Sequence, residues 1–224
     1  MFKYRKAPES PLFLTGHSPR RPSVNEYNQR MKTLTLLGTV TGIALFAGIR
    51  LYATVLTVGL CLRYGLLHLP QELASLSVLA HPYVLVAAGV CAVMEFLADK
   101  VPWVDSLWDA VHAFLRPAGA ALIAFAAVGR LDPATEIAVI LLCGGVAFSS
   151  HSAKAGARLL VNQSPEPFSN ILLSLCEDVV VVGGSYAAVA HPLAILAVVA
   201  AFLGLFALLA RRIYRRLRRD PAPP

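Results

Sequence analysis

The apolar residues of this chain fall into long blocks, separated by single charges and proline-containing turns. Residues 33–67 form the first block, with Arg50 and Arg63 as its only charges. As one straight helix it would reach about 50 Å, against a hydrocarbon core of about 30 Å. It must therefore tilt, project or break, and Gly48 beside Arg50 is the weakest point. Gly38 and Gly42, four apart, offer a small-residue face to a neighbouring helix. A polar loop with His68, Pro70, Gln71 and Glu72 follows, and Pro82 opens a second apolar helix over residues 83–98.

Residues 104–115 change character. Val104, Trp108, Val111 and Leu115 make one stripe, while Asp105, Asp109, His112 and Arg116 fall within an arc of roughly 60° beside it. The pattern predicts an interfacial or re-entrant amphipathic helix, then a short span over 117–128 and a turn at 129–133. Residues 134–162 begin as a span and end small and polar, with His151, Arg158 and Asn162 on one face and Lys154 beside it. Ser164, Pro165 and Glu166 form a helix start: the serine caps free amides, proline suits the first turn and the acid complements the dipole. That helix carries Asn170, Ser174, Glu177 and Asp178 into VVVVGGSYAAVA, and Pro192 opens the last span.

These elements define an all-α fold, a polytopic membrane helical bundle of about six spans. A faint echo between GIALFAGIRLYA, from Gly42, and GGVAFSSHSAKA, from Gly144, suggests two three-span halves of inverted topology. Matches among Gly, Ala and Ser arise easily in membrane helices, so the echo is thin.

Composition agrees with the pattern. The 224 residues are 57% hydrophobic and 15% charged, too apolar to supply a water-facing shell around each block. The formal charge of +7 belongs to the ends. Residues 1–32 carry seven Lys/Arg and two Glu, and residues 211–224 carry six Arg and one Asp, leaving the body with seven bases and ten acids. Basic ends of this kind are topology signals, and nucleic acid is not an expected partner. Residues 1–31 read as a disordered basic tail or an upstream extension of a start at Met31, 32–210 as the membrane domain, and 211–224 as an Arg-rich cytoplasmic tail. Both termini are then expected in the cytoplasm of a multi-pass protein of the cell's inner (plasma) membrane. Cys61, Cys91, Cys143 and Cys176 lie singly in apolar surroundings, without zinc or disulfide spacing.

The candidate site residues are the charges inside this apolar body. Glu95, Asp99, Asp105, Asp109 and His112 form an acidic group whose oxygens would suit magnesium, manganese or ferrous iron. No metal motif is matched, and Ser106 with Asp109 also fits a helix capping box. No metal or other cofactor is therefore expected. Glu166, Asn170, Ser174 and Glu177 follow one helical stripe, with Asp178 beside it. Arg50, Lys154 and Arg158, with His151, form the cationic set, and Arg50 in particular demands a carboxylate, with Glu95, Glu177 and Asp178 as candidates. No nucleophile motif, zinc-protease motif or phosphate-binding loop is present, so an enzyme is not expected.

GIRLY near Gly48, EFLADKVPWVDSLWDAVHAFLRPAGA from Glu95, KAGARLLVNQSPEPFSN from Lys154 and SLCEDVV from Ser174 together resemble the domain of unknown function 4126 family of membrane proteins. The resemblance spans roughly residues 32–210 and implies membrane location, without a substrate or catalytic residue. Two functions remain open at this point. One is a channel or transporter for a small ion or solute, with the interior charges lining or gating its path. The other is a non-transporting scaffold or regulator whose charges lock the bundle. The lipid bilayer is the common partner, and either role is compatible with a homo-oligomer.

Overall fold

In the computed structural model, residues 23–98, 102–129, 131–161 and 167–219 are described. Among them the chain forms helices α1 (Val24–Ile49), α2 (Leu51–Arg63), α3 (Pro82–Ala98), α4 (Pro102–Val128), α5 (Pro133–Val161), α6 (Pro167–Ala190) and α7 (Pro192–Arg219), with a 3-10 helix at Gln71–Ala80 and no strand. Five of these helices are long and apolar enough to cross a membrane. A sixth span results if the 3-10 helix and α3, bent by 63°, count as one broken crossing.

Helix α1 starts earlier than expected. Ser23 Oγ accepts from the Glu26 N–H at 3.3 Å and the Glu26 carboxylate accepts from the Ser23 N–H at 2.8 Å, a reciprocal cap that starts the helix seven residues before Met31. Residues 24–31 are therefore helical rather than part of a disordered tail. Residues 1–22 lie outside the described chain.

The long first tract breaks where its charge sits. Arg50 adopts an extended backbone conformation (φ −146°, ψ 97°), ending α1 and opening α2. Side-chain neighbours give the direction of each part. Along α1, Gly38 meets Pro192, Gly42 meets Ala188 and the Phe46 ring meets Gly184, so α1 runs antiparallel to α6. Along α2 the order turns: Arg50 reaches Ser174 and Thr54 reaches Ser185. The chain therefore heads back toward the end where α1 began, and Glu72, beyond α2, pairs with Lys32 at 2.7 Å. Helices α1 and α2 make a hairpin inside the bundle, with Arg50 at its tip.

Two further expectations change. The amphipathic segment and the short span after it are one helix, α4, with Pro117 inside it. Proline deletes one backbone bond, which a membrane helix tolerates when neighbours re-satisfy the freed group, and α5 makes its most extensive contacts with α4. The proposed sequence echo is not matched in shape: α1 breaks at Arg50, whereas α5 runs unbroken past the aligned Ser152.

The core lies around α1, whose residues from Leu36 to Gly48 are nearly all buried. The expected small-residue face is used. A Cβ on Gly38 would collide with the Pro192 carbonyl, and one on Gly42 with Ile195 and Ala188. Because the Pro192 obstacle is backbone, it cannot rotate away. Gly38→Ala should cost about 1–3 kcal/mol by overpacking, read as a lowered melting temperature of the purified protein in detergent, whereas Gly204→Ala, with open space around it, should melt like wild type.

Candidate functional site

Two groups of charged side chains meet at the tip of the α1–α2 hairpin. The first is built on Arg116 of α4, whose relative exposure is 0%. Its Nη2 donates to Glu95 Oε1 of α3 at 2.7 Å and its Nη1 to Asp109 Oδ1 at 3.0 Å. Asp109 lies seven residues before Arg116, two helical turns away on the same face, which the wheel had already placed together.

Histidines extend this group. Arg116 Nη1 also lies 2.7 Å from His151 Nδ1 of α5. A guanidinium has only donors, so Nδ1 must accept and the His151 proton sits on Nε2. His112 carries the opposite tautomer. Its Nδ1 donates to the Trp108 carbonyl at 2.8 Å, and its Nε2 lies 3.3 Å from Tyr52 Oη of α2. The Trp108 ring stacks on the imidazole at a centroid distance of 4.6 Å and the Tyr52 ring meets it edge-on.

The second group surrounds Glu177 of α6. Its Oε2 lies 2.9 Å from Arg158 Nη2, 3.4 Å from Lys154 Nζ and 3.7 Å from Arg50 Nη2, so three cations share one carboxylate. Arg50 also pairs through Nε with Asp178 at 3.0 Å and donates to Ser174 Oγ at 2.9 Å. Lys154 reaches the broken helix itself, donating to the Ile49 carbonyl at 3.2 Å. This satisfies an acceptor at the C-terminal end of α1, where partial negative charge favours a cation.

Helix α5 joins the two groups. His151 and Lys154, three residues apart and on neighbouring parts of one face, each enter one of them. Counted from Gly38, which packs at the start of α7, Arg50 lies twelve residues further on, about 18 Å deeper along α1. That is more than half of an about 30 Å hydrocarbon core. The charges thus form a band across the bundle interior.

Of the residues expected from sequence, the structure brings together Arg50, Glu95, Asp109, His112, Lys154, Arg158, Glu177 and Asp178. Arg50 pairs with Glu177 and Asp178, while Glu95 is taken by Arg116. Asp99, Asn162 and Glu166 lie outside the described residues, and Asp105 and Asn170 belong to α4 and α6 with side chains outside the description. Arg116, His151 and Ser174 were placed with these clusters by the sequence but not named as path residues, and Tyr52 was in none of the clusters. Arg116 and His151 shared helical faces with residues that were so named, and that signal was sufficient. Tyr52 lies in the GIRLY run, but no charge or spacing in the sequence linked it to His112. Among the described residues no group of three or more His, Cys, Asp or Glu side chains could hold a metal ion.

This architecture defines a class: a polytopic helical membrane protein with a band of buried ion pairs at a broken helix. The family model for a domain of unknown function, DUF4126, matches residues 37–212, and the chain belongs to that family. No curated protein and no solved structure matches it.

Removing one member of a buried ion pair strands the other, at about 3–5 kcal/mol. Arg116→Met should cost this much, measured by denaturant-induced unfolding in detergent micelles. Adding Glu95→Met should recover part of the loss, because it removes one of the stranded carboxylates.

Proposed function

We propose that this protein conducts a small ion or solute through a membrane, with the Arg50 hairpin tip and its charged partners as the binding and gating element. The observation that carries the reading is the helix break inside the charged band. Non-helical backbone at membrane depth is tolerated where it is buried in protein or lines a water-filled cavity, and discontinuous helices with half-helix ends at their centre are a recurring transporter device. Ion pairs that share partners can also exchange them. Glu177, held by three cations, can release one to an entering anion or solute without losing all its partners. No enzymatic step belongs to this reading.

A second reading, a non-transporting scaffold, is favoured by the charge balance. Arg50, Arg116, Lys154 and Arg158 face Glu95, Asp109, Glu177 and Asp178. Flux into liposomes separates the two. Transport predicts uptake of at least one ion or solute above empty liposomes, falling about tenfold or more in folded Glu177→Gln and Asp109→Asn variants, as expected when a charge-assisted hydrogen bond is lost. Uptake at the level of empty liposomes across inorganic ions and small organic solutes would leave the scaffold.

Orientation belongs to the same proposal. By the positive-inside tendency, the arginines ending α7 favour the cytoplasmic side of an inner (plasma) membrane for that end, together with the α3–α4 and α5–α6 connections. Because α1 and α2 double back rather than cross, the start of α1 then faces the opposite side. This departs from the expectation of two cytoplasmic termini. In a cysteine-free background, Gln29→Cys and Arg218→Cys should react with impermeant maleimide from opposite sides of the membrane; labelling from one side would refute the hairpin topology.

A further inference from the structure

A cleft of about 580 Å³ opens on the flank of the bundle between α2, the 3-10 helix, α3 and α4. Its walls include Leu51, Val55, Leu79, Ala87, Cys91 and Leu122. We infer that this cleft holds the acyl tail of one anionic phospholipid, with the phosphate at Arg63. The volume lies within the about 300–1,000 Å³ range of built small-ligand sites.

Length and lining select the occupant. From Tyr83 at one end to Cys91 at the other, α3 rises about 12 Å, close to the about 15 Å of one leaflet of an about 30 Å hydrocarbon core. Apolar walls over that length suit hydrocarbon, and the arginine at the outer end suits an anionic headgroup.

Polar groups stand only at the two ends. At the inner end the Tyr52 hydroxyl is engaged by His112, so the tail meets the ring and not an unpaired hydroxyl. At the outer end Tyr83 is 81% exposed, and the His81 ring lies beside it at 5.2 Å. Arg63, exposed in the last turn of α2, donates to the Ala80 carbonyl at 3.4 Å, next to Leu79 of the wall. An arginine with donors to spare, beside an interfacial tyrosine and histidine, complements a headgroup phosphate.

The test uses the full-length protein in phosphatidylcholine nanodiscs doped with a phosphatidylglycerol that carries a diazirine on its acyl chain. After irradiation, adducts mapped by mass spectrometry should concentrate on Ala87, Cys91 and Leu122. Ala87→Trp, which fills the cleft from an exposed position, should abolish them. Arg63→Gln should lower phosphatidylglycerol labelling about fivefold, the worth of one arginine at an anionic membrane surface, and lower labelling by the matching phosphatidylcholine probe, whose phosphate charge is offset by choline, by less. The inference is overturned by wild-type adducts as dense on the exposed face of α7 at Leu205 and Leu208 as in the cleft. It is equally overturned by adducts that persist in Ala87→Trp, or by a second copy cross-linked over the cleft. If Ala87→Trp does not fold, the Arg63→Gln comparison decides alone.

Discussion

Arg50 cannot sit in hydrocarbon without partners, and much of the interior is arranged to supply them. An unpaired charge at membrane depth costs several kcal/mol on any scale. Here the guanidinium is buried, paired with Asp178 and Glu177 and hydrogen-bonded to Ser174. Meeting α6 in this way requires α1 to stop at Ile49. The broken helix end then exposes a carbonyl that Lys154 covers, and Lys154 and Arg158 in turn close on Glu177. One charge therefore explains the break, the convergence of α5 and α6, and the composition of the second cluster.

The first cluster answers the same constraint differently. Arg116 and Glu95 are both fully buried, on different helices, and their contact pins the end of α3 to the middle of α4. Elsewhere α3 leans on α2 more than on α4. Away from that attachment the flank beside α3 and α4 carries the apolar cleft. Packing by small residues does the opposite at α1: Gly38 and Gly42 bring α7 and α6 close enough for a continuous core.

Such a band is weak evidence for stability taken alone, because well-packed apolar residues often do as well as a buried ion pair. Its retention in the bundle interior therefore calls for specificity or function. The hairpin tip, where α1 ends at Arg50, lies among these charges.

Much of this was legible in the sequence. Periodicity and apolar length determined an all-helical membrane bundle, a weak point near Gly48 and Arg50 in a tract that had to tilt, project or break, and the wheel face that carries Asp109, His112 and Arg116, because helical spacing is a local property of the chain. The need of Arg50 for a carboxylate also followed, from charge in an apolar tract, with Glu95, Glu177 and Asp178 as the candidates; two of the three are its partners. Local pattern could not determine direction. Whether the chain crosses or doubles back at Arg50, whether Pro117 ends a helix or lies within one, and which arginine claims Glu95 depend on neighbours distant in sequence. Those outcomes were set by tertiary packing, where one extended residue redirects a helix and a buried carboxylate goes to the cation its helix happens to meet.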